Sequence, residues 1–81
     1  MEESIGERIR SVREKRGITQ KWLAERVGIS KQALYAIEKG KIDVRGSRVA
    51  AFAKALRVST DHLLGLKDEE ISDRIEEFAI V

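Results

Sequence analysis

Apolar residues recur along this chain at the three-and-four spacing of helices that bury one side. Ile5, Ile9 and Val12 form the first such stripe, Leu23, Ala24 and Val27 the second, and Ala33, Leu34 and Ile37 the third. Val49, Phe52, Ala53 and Leu56 make a fourth, and Leu63 with Leu64 a short fifth. Between the stripes stand residues that start and stop helices. Ser4 and Glu7 have the spacing of a capping box, and Gly17 closes the first helix. Thr19, Ser30 and Ser59 each offer a hydroxyl to the helix that follows. The fourth helix starts less clearly, after the loop Ile42 to Gly46, with Ser47 as the expected cap. The pattern predicts an all-α domain of five helices over residues 1–66.

The second and third stripes are separated only by Gly28-Ile29-Ser30. So few residues force a sharp turn, which Gly28 accepts in a left-handed conformation. Small Ala24 lets the following helix come close. Two apolar faces meeting across such a turn define an angular helix-turn-helix rather than an antiparallel hairpin.

On Thr19 to Lys41 the chain resembles the helix-turn-helix of the phage repressor and Cro family, a group of bacterial and phage transcriptional regulators that includes the XRE-like proteins. The resemblance extends from about Ile5 to Leu66. It implies double-stranded DNA binding, with the third helix in the major groove and its outer face reading bases. Ser30, Lys31, Gln32 and Ala36 fall at the family's base-reading places, and Tyr35 shares their face. Glutamine pairs well with adenine and lysine with guanine. The resemblance further implies a phosphate contact at Gln20. Lys39 and Lys41, flanking the glycine after the third helix, lie beside the expected backbone path, and Arg45 fits either a phosphate or an ordinary loop charge. It also implies a partly buried ion pair between Arg13 and Glu38.

Three departures stand out. Trp22 replaces the glutamate that often closes a capping box with Thr19, and it points away from Leu23, Ala24 and Val27. It suits either packing on a neighbour or a partner subunit, or a contact to the DNA backbone, with Arg26 one turn later within stacking reach. Ala36 is small and apolar, able to meet a thymine methyl but not to hydrogen-bond. Val44, Arg45 and Gly46 stand where family members commonly carry a proline, a capping serine and a leucine.

Charge changes the picture more than composition does. Net charge is +2, yet residues 1–66 carry 14 Lys and Arg against 8 Asp and Glu, whereas residues 67–81 carry 2 against 6. The basic part suits a phosphate backbone. The acidic tail repeats Ile71, Ile75 and Phe78 at helical spacing and ends Phe78-Ala79-Ile80-Val81. Three uses fit it: packing back on the domain, pairing with a second subunit, or leading into more chain. Dimer contact through Ile71, Ile75 and Phe78 is the favoured expectation, since one recognition helix reads few base pairs and relatives bind as symmetric pairs.

Other classes of function find little support. No cysteine is present, and His62 is the one histidine, so no metal site or cofactor is expected. No serine or cysteine is placed with His62 as a nucleophile–base pair, which argues against an enzyme and a small-molecule substrate. No apolar run nears the roughly 20 residues of a membrane span, so a cytoplasmic protein without a membrane partner is expected. The competing reading is an antitoxin-like protein-interaction module on the same fold, with the acidic tail as its partner element.

Overall fold

The computed structural model describes residues 3–66. They form five helices, α1 (Ile5–Lys15), α2 (Gln20–Val27), α3 (Lys31–Glu38), α4 (Ser47–Leu56) and α5 (Thr60–Leu64). Local chemistry accounts for most of their boundaries. Ser4 accepts from the Glu7 amide while the Glu7 carboxylate accepts from the Ser4 amide, a complete capping box. Thr19, Ser30 and Ser59 accept from Trp22, Ala33 and His62 N–H groups at 3.0–3.1 Å. Each such cap stabilises its helix by about 1 kcal/mol.

The core is one cluster supplied by every helix. Ile9 and Val12 of α1, Leu23 and Ala24 of α2, Leu34 and Ile37 of α3, and Val49, Phe52, Ala53 and Leu56 of α4 close around Leu63. α2 packs on both α3 and α4, and α1 packs on α3, α4 and α5. The α2–α3 turn is as tight as its three residues require. Gly28 takes φ +85°, and the N–H groups of Gly28 and Ile29 both donate to the Ala24 carbonyl at 2.9 Å.

Two expectations need correction. Ser47 is the first residue of α4, not its cap; the cap position is Gly46 at φ +51°, ψ −126°, and no side chain caps the helix. The tight entry needs a backbone that only glycine adopts cheaply, so the hydroxyl next to it has no capping role. Leu64 is not inward: it is 40 % exposed, because the single turn of α5 buries only Leu63. Val44, by contrast, is buried and completes the core from the loop before α4. The tail pattern of Ile71, Ile75 and Phe78 lies outside the described residues.

Gly6 was not singled out by the hydrophobic pattern, yet it sets how closely α1 meets α3. A Cβ there would overlap the backbone carbonyl of Ile37. Gly6→Ala improves helix propensity by about 1 kcal/mol in an open position. Here the backbone of α3 must move instead, and the net effect is a loss of about 1–3 kcal/mol, read as a lower urea midpoint with unchanged slope. A midpoint equal to or above that of the parent would contradict this packing.

Candidate nucleic-acid interface

The two helices of the turn expose one continuous polar face. Gly28 and the short turn set α3 at an angle to α2, which leaves the start of α2 beside the outer side of α3. Leu34, Ile37 and Glu38 are buried, so Lys31, Gln32, Tyr35 and Lys39 are exposed on the opposite side, with Ala36 half-buried. Between the helices lies a concavity of about 570 Å³. Thr19, Gln20 and Lys21 line it from the start of α2, and Lys31, Tyr35 and Lys39 from α3. Arg10 of α1 closes one side.

One buried carboxylate organises this region. Glu38 sits at the end of α3 with 3 % of its side chain exposed. Its Oε2 accepts from Arg13 Nε at 2.7 Å, and its Oε1 accepts from Arg13 Nη2 and Gln20 Nε2, both at 3.0 Å. Arg13 Nη1 also donates to the Ile18 carbonyl at 2.9 Å. One guanidinium therefore joins α1 to α3 and to the loop before α2. Hydrogen bonding to Glu38 pushes the Arg13 pKa above its ordinary value, outweighing the opposing effect of burial. Every buried side-chain nitrogen and oxygen among the described residues has a partner.

Glu38 is thus neutralised, and the concavity presents Arg10, Lys21, Lys31 and Lys39 to solvent. Neither α2 nor α3 has an acidic residue in its first turn, so the positive ends of both helices add to that field. Lys39 Nζ lies 5.4 Å from the centre of the Tyr35 ring, a cation–π contact that restrains both side chains on the rim. An anionic surface is what such a face can hold.

The structure brings some of the expected residues together and separates others. Gln20, Lys31, Tyr35 and Lys39 share the concavity, and Ser30 and Gln32 are exposed at the start of α3. Ser30 accepts from the Ala33 amide, which engages its hydroxyl in the cap. Arg45 lies apart, lining a hollow with Ile42, Asp43 and the start of α1, and Lys41 is exposed beyond the end of α3. The Gln20 side chain is not free, since its amide donates to Glu38. Lys21 and Arg10 were not singled out from sequence. Lys21 follows Gln20 at a helix start, a signal that was legible, whereas Arg10 is tied to Glu14 at 3.3 Å and reads as an ordinary surface charge. Trp22 is outside the concavity, with the Arg26 guanidinium 4.8 Å from its ring centre.

Comparison with known proteins agrees with this geometry. A family model described as a helix-turn-helix domain matches residues 4–69, and the chain belongs to that family. It is 40 % identical over 60 residues to Repressor protein C2 of Salmonella phage P22, covering 74 % of this chain and 28 % of that protein. Over 66 residues it is 38 % identical to the HTH-type transcriptional regulator ImmR of Bacillus subtilis, covering 82 % and 51 %. The crystal structure of the P22 c2 repressor in complex with synthetic operator 9T superposes with a TM-score of 0.73 at 36 % identity, covering 82 % of this chain and all of that one. The chain spans about half or less of the length of these two curated relatives.

The buried pair generates a prediction about the fold. Arg13→Met and Glu38→Leu each leave the other charge uncompensated, and each lowers unfolding free energy by about 3–5 kcal/mol. The double variant regains a large part of that loss, because neither charge then needs a partner. Urea unfolding of the four proteins checks it; singles costing less than 1 kcal/mol would contradict the burial.

Proposed function

We propose that the chain is a sequence-specific double-stranded-DNA-binding transcriptional regulator, acting as a repressor and binding a near-palindromic operator as a homodimer. The observation that carries this reading is the polar face of α2 and α3. It is built on one tight turn, its buried carboxylate is paired with Arg13, and it presents four cations, two of which, Lys21 and Lys31, lie at helix starts. The likeness to a repressor whose structure contains an operator supports it.

In this reading α3 enters the major groove, and division of labour follows exposure. Lys31 and Gln32, in the first turn of α3, reach base edges, with Ser30, Tyr35 and Ala36 completing the reading face. Gln20 grips a phosphate from the start of α2 with its amide held in place by Glu38, and Lys39 and Lys41 follow the backbone past the end of α3. Lys21 joins them, on the strength of its place in the concavity. Arg45 reaches phosphate only where the duplex extends past the end of α3. Pairing of two copies would set the two recognition helices at half-sites about one helical turn apart, roughly 34 Å.

Binding titrations on a preferred duplex and a scrambled one separate these roles. Gln32→Ala weakens binding to the preferred duplex by about 1–3 kcal/mol and leaves the scrambled one nearly unchanged. Lys21→Ala weakens both alike and lowers the slope of log affinity against log salt by about 1. Equal losses on both duplexes for Gln32→Ala would remove it from the base readers, and an unchanged salt slope would remove Lys21 from the phosphate contacts.

A further inference from the structure

A second basic groove lies away from the α2–α3 face and shares no residue with it. It has a volume of about 580 Å³ and runs between the end of α1, the outer side of α2 and the second half of α4. Arg16, Arg26, Lys54 and Arg57 line it, and among the described residues no carboxylate does. Ile18, Trp22 and Ala55 provide an apolar floor. Trp22 is 41 % exposed, although a large aromatic is among the side chains that gain most from being covered. Arg16 Nη2 donates to the Arg57 carbonyl at 3.3 Å, joining the two rims, while Arg57 holds a left-handed φ of +59°. Four cations around an apolar floor fit an anionic amphipathic segment, and the α3 recognition helix contributes nothing to them.

We propose that this groove is the docking site for the acidic tail of the same chain, residues 67–81. Three observations lead there. The charges are complementary: six acidic residues against two basic ones in the tail, and in the groove four cations with no carboxylate among the described residues. The tail repeats Ile71, Ile75 and Phe78 at i, i+4 and i+7, the spacing by which an amphipathic helix lays its apolar side in a groove. The exit point also leads to the groove. Gly65 lies against the guanidinium of Arg8, and a hollow lined by Arg8, Ser11 and Lys15 runs along α1 toward Arg16. From Arg8 to Arg16 is about 12 Å along the helix axis, and residues 67–70 in an extended lead-in span about 13 Å, enough to bring Ile71 to the near edge of the groove. Docked this way, Ile71, Ile75 and Phe78 cover Trp22 while the acidic side meets the rim. This assigns those residues to an intramolecular contact, independent of whether α3 reads DNA.

Trp22 is the only tryptophan in the chain, so its own fluorescence reports the groove. Acrylamide quenching of the full chain is compared with that of a variant carrying D68N, E69Q, E70Q, D73N, E76Q and E77Q. The docked tail shields the indole, so quenching rises about twofold in the variant, and the same rise is produced in the parent by 1 M salt, where screening shortens to about 3 Å. Lys54→Glu, which alters the groove instead of the tail, gives a rise in the same direction. Far-UV circular dichroism confirms that each protein keeps its helices. Quenching that is unchanged in the tail variant overturns the proposal. A difference that grows with protein concentration overturns it too, because the tail would then occupy the groove of a second copy.

Discussion

Glu38 is the constraint on which the interface depends. A carboxylate that is almost wholly buried costs several kcal/mol to desolvate, and only a full set of donors offsets that. Arg13 supplies two and Gln20 a third, and these three hydrogen bonds reach α3 from α1 and α2. The pair does more for geometry than for net stability, since an apolar replacement of both members is tolerated in other proteins. It locks the end of α3 against the start of α2, the two edges of the concavity. A further bond from Arg13 to Ile18 holds the loop that delivers Thr19 and Gln20.

Once those edges are fixed, the character of the exposed face follows from simple electrostatics. Burying the acid with its own counter-cation offsets the negative charge that lines the concavity. What remains outward is lysine and arginine, glutamine, a tyrosine restrained by Lys39, and the positive ends of two helices. The close approach of α1 through Gly6 and the left-handed Gly28 keep this surface rigid, because neither contact has slack to absorb a shift. A rigid face is what base reading needs, since small displacements there change which edges can be reached.

Much of the fold was legible in the sequence because its signals are local. Ser4, Glu7, Thr19, Ser30 and Ser59 act within one turn of themselves, and Gly28 meets a demand made by its immediate neighbours. The alternation around Ile9, Leu23, Leu34 and Phe52 marked the core for the same reason. What escaped depends on residues far apart in sequence. Gly6 is informative only beside the Ile37 carbonyl, and Gln20 reads as a free phosphate ligand until Glu38 is seen holding its amide. Ser47 looked like a cap because serine usually is one, but the entry to α4 is governed by the backbone of Gly46. Leu64 followed the apolar pattern, yet a helix of one turn has room to bury only Leu63. The outer face of α3 is legible as a set of residues, and Lys21 beside Gln20 with it, while the joining of Arg10 to that face requires the packing of α1 against the other two helices.

The central question for this protein is whether the face of α2 and α3 reads duplex sequence. Selection of bound duplexes from a random pool at near-physiological salt, followed by sequencing, tests that most directly. Enrichment of a two-fold symmetric site, with half-site centres about 10 base pairs apart, is the result expected. A folded, helical protein that enriches no site would contradict it, and the basic concavity would then have to serve some other anionic partner.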